Sequence, residues 1–144
     1  MKDFFLLDSS LSKKAYPFLA LCARVFIGFL MLTHGIPKIF SFNLLSATFP
    51  DPIGLGSYLS LVLAILAEVG CSLLLILGVM TRLAVLPLIF NMAVAVTVVH
   101  GSDVFAVKEL AVMYLGFYVL VLFLGGGKYS FDRVIFSRYF SGVV

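Results

Sequence analysis

Four stretches of this chain are apolar over close to the length a helix needs to cross a bilayer, about 20 residues. They cover about residues 17–36, 57–80, 83–99 and 108–124. Composition agrees: 62% of the 144 residues are hydrophobic, 12% are charged and the mean hydropathy is +1.18. A soluble domain is about half apolar and a quarter charged. The expected fold class is all-α, an integral membrane four-helix bundle in a single domain spanning residues 1–144. The net charge of +3 does not point to nucleic acid. Its basic residues are scattered at the ends of apolar runs and form no stripe.

The first run follows Lys13 and Lys14, as a cleaved signal would. Arg24 interrupts it, no A-x-A site follows, and it continues for about 20 residues, so it reads as a retained span. Only Thr81 and Arg82 separate the second and third runs, which predicts a tight antiparallel hairpin. Pro87, near the start of the third, is placed to kink it. A cytoplasmic N-terminus puts Lys2, Lys13, Lys14, Arg82, Lys128, Arg133 and Arg138 inside, and Lys38 and Lys108 outside. That bias predicts both termini in the cytoplasm of an inner (plasma) membrane. Residues 39–56 form the one long loop, outside, rich in Phe and Leu, with Asp51 its single charge. Such a loop is expected to lie in the interface or fold over the bundle. After the fourth run, glycines 125–127 break the helix, and Ser130 is placed to cap a short surface helix over about 131–140.

Charge inside a bilayer is costly, about 2.5–3.5 kcal/mol or more, so such residues are functional or paired. A rise of 1.5 Å per residue puts Arg24 at roughly 10 Å from the inner boundary and Glu68 at roughly 18 Å. Glu109, His34 and His100 follow at roughly 22, 25 and 27 Å. Arg24, Gly28, Gly35 and Lys38 share one face of the first helix, with His34 beside Lys38. Ser57, Leu61, Ala64, Glu68, Ser72 and Leu75 share a stripe on the second, and Glu109 and Gly116 one on the fourth. Small residues beside the charges allow close helix approach, so these faces are expected to point inward.

Two readings stay open for each group. Arg24 and Glu68 form a buried ion pair that only fixes helix pairing, or they work in a site. His34 and Lys38 are interfacial anchors, the lysine reaching for water, or they sit at the mouth of a polar pocket. Glu109 marks the outer start of the fourth helix or joins that pocket, and His100 is solvated or joins it. Asn91 reads as hydrogen-bond glue between helices. Cys22 and Cys71 lack metal or CxxC spacing and read as small packing residues, with a redox pair the alternative.

Three segments carry a resemblance. "RVFIGFLMLTHGIPKI" (24–39), "LAEVGCSLLLILGVMTRLA" (66–84) and "GGGKYSFD" (125–132) occur in this order. Together they resemble the motifs of the DoxX family of small four-helix inner-membrane proteins. Some members of that family are associated with quinone-linked oxidoreductases, including the membrane part of thiosulfate:quinone oxidoreductase. The resemblance singles out Arg24, His34, Gly35, Lys38, Glu68, Gly70, Gly78, Thr81, Arg82, Ser130 and Asp132.

The resemblance implies a membrane subunit of a quinone-linked oxidoreductase system. His34, Lys38, Glu68 and Glu109 are then the candidate catalytic groups. Arg24, His34, Glu68 and His100 are the candidates for holding the quinone. Reducing a quinone takes two protons, and acids beside its carbonyl oxygens serve that need. No haem, flavin, dinucleotide or metal motif is present, so electrons come from a soluble or membrane oxidoreductase partner or from the substrate itself. The rival reading is a non-catalytic membrane scaffold or small-molecule carrier. A channel through one such chain lacks a continuous polar lining. Membrane lipid is the surrounding partner, and a homo-oligomer stays open.

Overall fold

The computed structural model describes residues 9–134, with side chains from Ala15 onward. Among these residues helix is the regular secondary structure, with turns and loops between helices and no strand. Helix α1 runs Ser9–Phe40 and a short α2 covers Phe42–Leu45. The second span is α3 (Ser57–Ile65), a π-helical stretch Leu66–Cys71 and α4 (Ser72–Leu77). The third is α5 (Thr81–Val94), ending in a second π-helical stretch, Ala95–Val99. The fourth is α6 (Phe105–Leu124). Four helices are long and apolar enough to cross a membrane. Short connections force neighbours antiparallel, and α6 closes the bundle by packing on both α5 and α1.

The helix ends differ from the sequence expectation for physical reasons. The first span continues to Phe40, because Lys38 at its end meets a carboxylate inside the protein and has no need of water. The third begins at Thr81, because Asp132 from the far end of the chain caps it. The Asp132 carboxylate accepts the Met80 N–H at 2.6 Å, the Thr81 N–H at 3.0 Å and the Thr81 hydroxyl at 3.1 Å. An acceptor there satisfies donors that a helix start leaves free. Ser130 does not cap; its hydroxyl donates to the Gly127 carbonyl at 2.9 Å. Residues 131–134 are helical, and the rest of the surface helix expected to 140 lies outside the described residues.

The stripe on the second helix is buried as periodicity predicts from Leu61 onward: Leu61, Ala64, Glu68, Ser72 and Leu75 are inside, while Ser57 at its start is half-buried. The fourth helix faces inward differently. Tyr114, Tyr118 and Val121 are its buried residues, while Glu109 is exposed. Tyrosine fills an apolar interior with its ring, so it displaces the smaller polar marker from the inner face. The closest packing is between α1 and the second span. A Cβ on Gly28 would come within 2.6 Å of Ile76 Cγ1, and one on Gly35 within 2.6 Å of Val69 Cγ2 and 2.9 Å of Glu68 Cβ. We expect Gly35→Ala to push the second span away at Glu68 and cost about 1–3 kcal/mol, as overpacking does. Thermal unfolding in detergent measures it, and an unchanged midpoint would refute the close approach.

Arg24 does not pair with Glu68. It is 1% exposed and lies at the hairpin end of the bundle. Nη2 donates to the Tyr129 carbonyl at 2.8 Å and Nη1 to the Leu75 carbonyl at 3.3 Å. Its residual partners are thus carbonyls at the end of α4 and in the closing segment. Straight-helix depth arithmetic could not show these, because the closing segment carries no periodicity.

Candidate functional site

Midway along the second span, on the side away from the hairpin, the π-helical stretch carries Glu68, 4% exposed. A π-turn inserts extra backbone and re-aims side chains, and such turns recur at functional positions. Here it turns the Glu68 carboxylate toward α1 and α5. Lys38 Nζ donates to both carboxylate oxygens. Asn91 Nδ2 of α5 donates to Oε1 at 3.0 Å. Three helices thus meet on one buried carboxylate. Asn91, expected as interhelical glue, is glue to this group in particular.

Two cavities adjoin the cluster. The larger, about 420 Å³, is lined by Lys38, Glu68, Asn91 and His100 at its polar end. Apart from Ser60 its other walls are apolar, including Ala64, Ala67, Leu63, Phe90 and Val94. The smaller, about 220 Å³, is lined by His34, Lys38, Glu68, His100 and Tyr114, with Met31 and Met92 from the core among its walls. Lys38, Glu68 and His100 line both. The His34 ring is exposed and meets the Tyr114 ring edge to face, centroids 5.6 Å apart. Tyr114 stacks in turn on buried Tyr118 at 6.0 Å. His100 Nδ1 lies 2.8 Å from Asp103 Oδ2, which orients the ring where α5 ends.

The structure therefore brings His34, Lys38, Glu68 and His100 together. It leaves Glu109 outside both cavities and Arg24 at the hairpin end of the bundle. Asn91 and Tyr114 join the site. Their signal in the sequence is a polar tip within an apolar span. Cys22 and Cys71 are free thiols.

The long loop covers the larger cavity, with Phe49, Pro50, Pro52 and Ile53 on its wall. Asp51 latches it. Its carboxylate accepts the Gly56 N–H at 2.8 Å, the Leu55 N–H at 2.9 Å and the Ser60 hydroxyl at 2.9 Å. The Gly56 N–H, helped by Ser60 and Leu55, outweighs desolvation and holds this carboxyl below its usual range. A depressed carboxylate stabilises above its unfolded value and loses that contribution as pH falls through the folded one. We expect hydrogen exchange at Leu55 and Gly56, taken relative to an unprotected amide at the same pH, to stay slow at neutral pH and to quicken only below about pH 4. Asp51→Asn should quicken it at pH 7 and remove the acid step. Identical profiles for the two proteins would refute the latch.

Neither a curated protein nor a solved structure matches the chain. A family model described as DoxX matches residues 19–101. That stretch contains His34, Lys38, Glu68, Asn91 and His100, the polar end of both cavities except for Tyr114. With four membrane-length apolar helices around this site, and a match over more than half its length, the chain is a multi-pass membrane protein and belongs to the DoxX family.

Proposed function

We propose that the protein is the membrane subunit of a quinone-linked oxidoreductase system of the inner membrane. In this reading both termini are cytoplasmic and the cavities lie toward the outer leaflet. One observation carries it: a largely apolar cavity of about 420 Å³ is lined by the buried Glu68 carboxylate with its half-buried donors Lys38 and Asn91. That size lies within the range of small-molecule sites, and such sites combine apolar walls with a few convergent polar groups.

The donor set fits a quinone ring. A lysine carries three N–H donors and an asparagine two. Glu68 takes two from Lys38 and one from Asn91. One donor on each remains for a carbonyl oxygen. A quinone supplies two-electron chemistry with proton uptake at its two oxygens. The chain's own residues would hold the ring and supply protons. Lys38 and Asn91 would donate to a carbonyl oxygen, the Lys38 ammonium being the proton source beside it. Glu68 holds both donors in place as their acceptor, and His100 lines the same cavity beside Asp103. The electron source in this reading is an oxidoreductase partner.

Protein purified in mild detergent and extracted with organic solvent should yield quinone by mass spectrometry, close to one per chain. Glu68→Gln should lower that yield severalfold. Quinone-free protein that also fails to bind added quinone would sink the reading and favour the membrane scaffold or small-molecule carrier. Reporter fusions after Arg82 and after Val144 should report cytoplasm, and one near Asp51 the outside. Any reversal overturns the orientation.

A further inference from the structure

We propose that the larger cavity opens sideways into the bilayer between α3 and α5, and that this opening takes the apolar tail of a lipid-dissolved quinone. This rests on the quinone reading above and adds a tail subsite and a direction of access. Leu63 on α3 and Phe90 on α5 both line the cavity, yet they are 48% and 59% exposed. Both lie within membrane-length helices, where an exposed face meets hydrocarbon. A residue that lines a cavity and is also exposed on a membrane-length helix brings the cavity to within one side chain of lipid. The small side chains Ala64 and Ala67 on the α3 side leave the room behind that opening.

The loop side carries a thin cover, whose Pro50 and Ile53 are themselves exposed. Phe49, Pro50, Pro52 and Ile53 cover it, held by the Asp51 latch. Ser60, the polar group nearest the loop, is already bonded to Asp51. A water-soluble substrate therefore meets a latched apolar cover. A molecule dissolved in the bilayer meets a gap between two helices. Polarity is arranged to match: Lys38 and Asn91 supply donors, and Leu63, Ala64, Ala67 and Phe90 supply hydrocarbon wall. A molecule with one polar ring and one apolar tail fits that division. Lipid is as apolar as the cavity wall, so the tail gains little from the transfer itself. The opening governs fit and access, and its effect shows when it is blocked.

The chain has no tryptophan, so one added tryptophan reports alone. Phe90→Trp places the reporter at the mouth. Met113→Trp is the control, 64% exposed on α6 and outside both cavities. The probes are a dimethoxybenzoquinone with a decyl tail, the same compound brominated at the tail end, and the tailless ring, all in lipid nanodiscs. The brominated compound should quench Phe90→Trp more strongly than the unbrominated one, and the two should quench Met113→Trp equally. Leu63→Trp, which narrows the mouth, should weaken binding of the decyl compound about tenfold and leave the tailless ring unchanged. Equal bromine quenching at both reporters, or equal loss of tailed and tailless rings, overturns the lateral opening and leaves the ring site standing. Failure of every ring to bind overturns the ring site and the opening together.

Discussion

Gly78→Ala is expected to abolish folded protein in detergent. Gly78 ends α4 in the left-handed region, φ +73 and ψ +36. The backbone there satisfies the end of the helix, with the Val79 N–H donating to the Leu74 carbonyl at 2.9 Å. A side chain in that conformation costs about 1–2 kcal/mol. The larger penalty is steric. A Cβ would overlap the Arg24 guanidinium and come within 2.8 Å of Ser130 Cβ. Displacing Arg24 strands a buried charge, worth about 3–5 kcal/mol by analogy with broken buried pairs. Together these approach the whole stability of an ordinary domain, about 5–15 kcal/mol. The two parts separate in a cycle. In an Arg24→Ala background the guanidinium overlap is gone, and Gly78→Ala should then cost only the backbone term and the remaining close contact with Ser130 Cβ. Equal damage in both backgrounds would show that the guanidinium is not what glycine makes room for. The measurement is the monodisperse fraction on size exclusion and the unfolding midpoint of whatever survives.

Much of this architecture is legible in the sequence because the bilayer imposes long apolar runs, and a helix imposes its period. The four spans and the buried stripe from Leu61 to Leu75 follow from those two constraints alone. The ion pairing does not. Arg24 and Glu68 share inward faces and nearby depths, so pattern matches them to each other. The structure instead gives each a partner that periodicity cannot see. Arg24 is held by the carbonyl of Tyr129, in a glycine-broken segment remote in sequence. Glu68 is turned by a π-helical stretch, which shifts the register that a 3.6-residue wheel assumes. Glu109 illustrates the opposite failure. Its charge made it a candidate for the inner face, yet Tyr114 and Tyr118 hold that face with greater buried area.

The two ends of the bundle are built for different tasks. At the hairpin end, Arg24, Gly78, Thr81, Ser130 and Asp132 are locked to backbone atoms or to one another. At the other end, the polar groups meet side chain to side chain around empty volume. Motif residues of the first kind maintain the fold. Those of the second kind are free to exchange partners with a ligand, which is why the functional proposal rests on them.

Lys38→Met is expected to destabilise the protein by about 3 kcal/mol or more, because it leaves the Glu68 carboxylate buried without its cation. Asn91 alone then holds the charge through one bond. The penalty belongs to the stranded charge and not to the lost contact. Lys38→Met combined with Glu68→Leu should therefore recover most of the loss, since apolar replacements of buried pairs are often neutral. Arg24→Leu combined with Glu68→Leu should recover nothing, because those two residues share no partner. Quinone binding should divide the variants differently from stability. The rescued double variant should fold yet bind ring and tailed quinones no better than Lys38→Met does, having lost the donor and its acceptor together. Unfolding midpoints and binding isotherms on the same preparations test both halves. Full binding by the rescued double variant would reduce the Lys38–Glu68 pair to a helix clamp and take the polar cluster out of the chemistry.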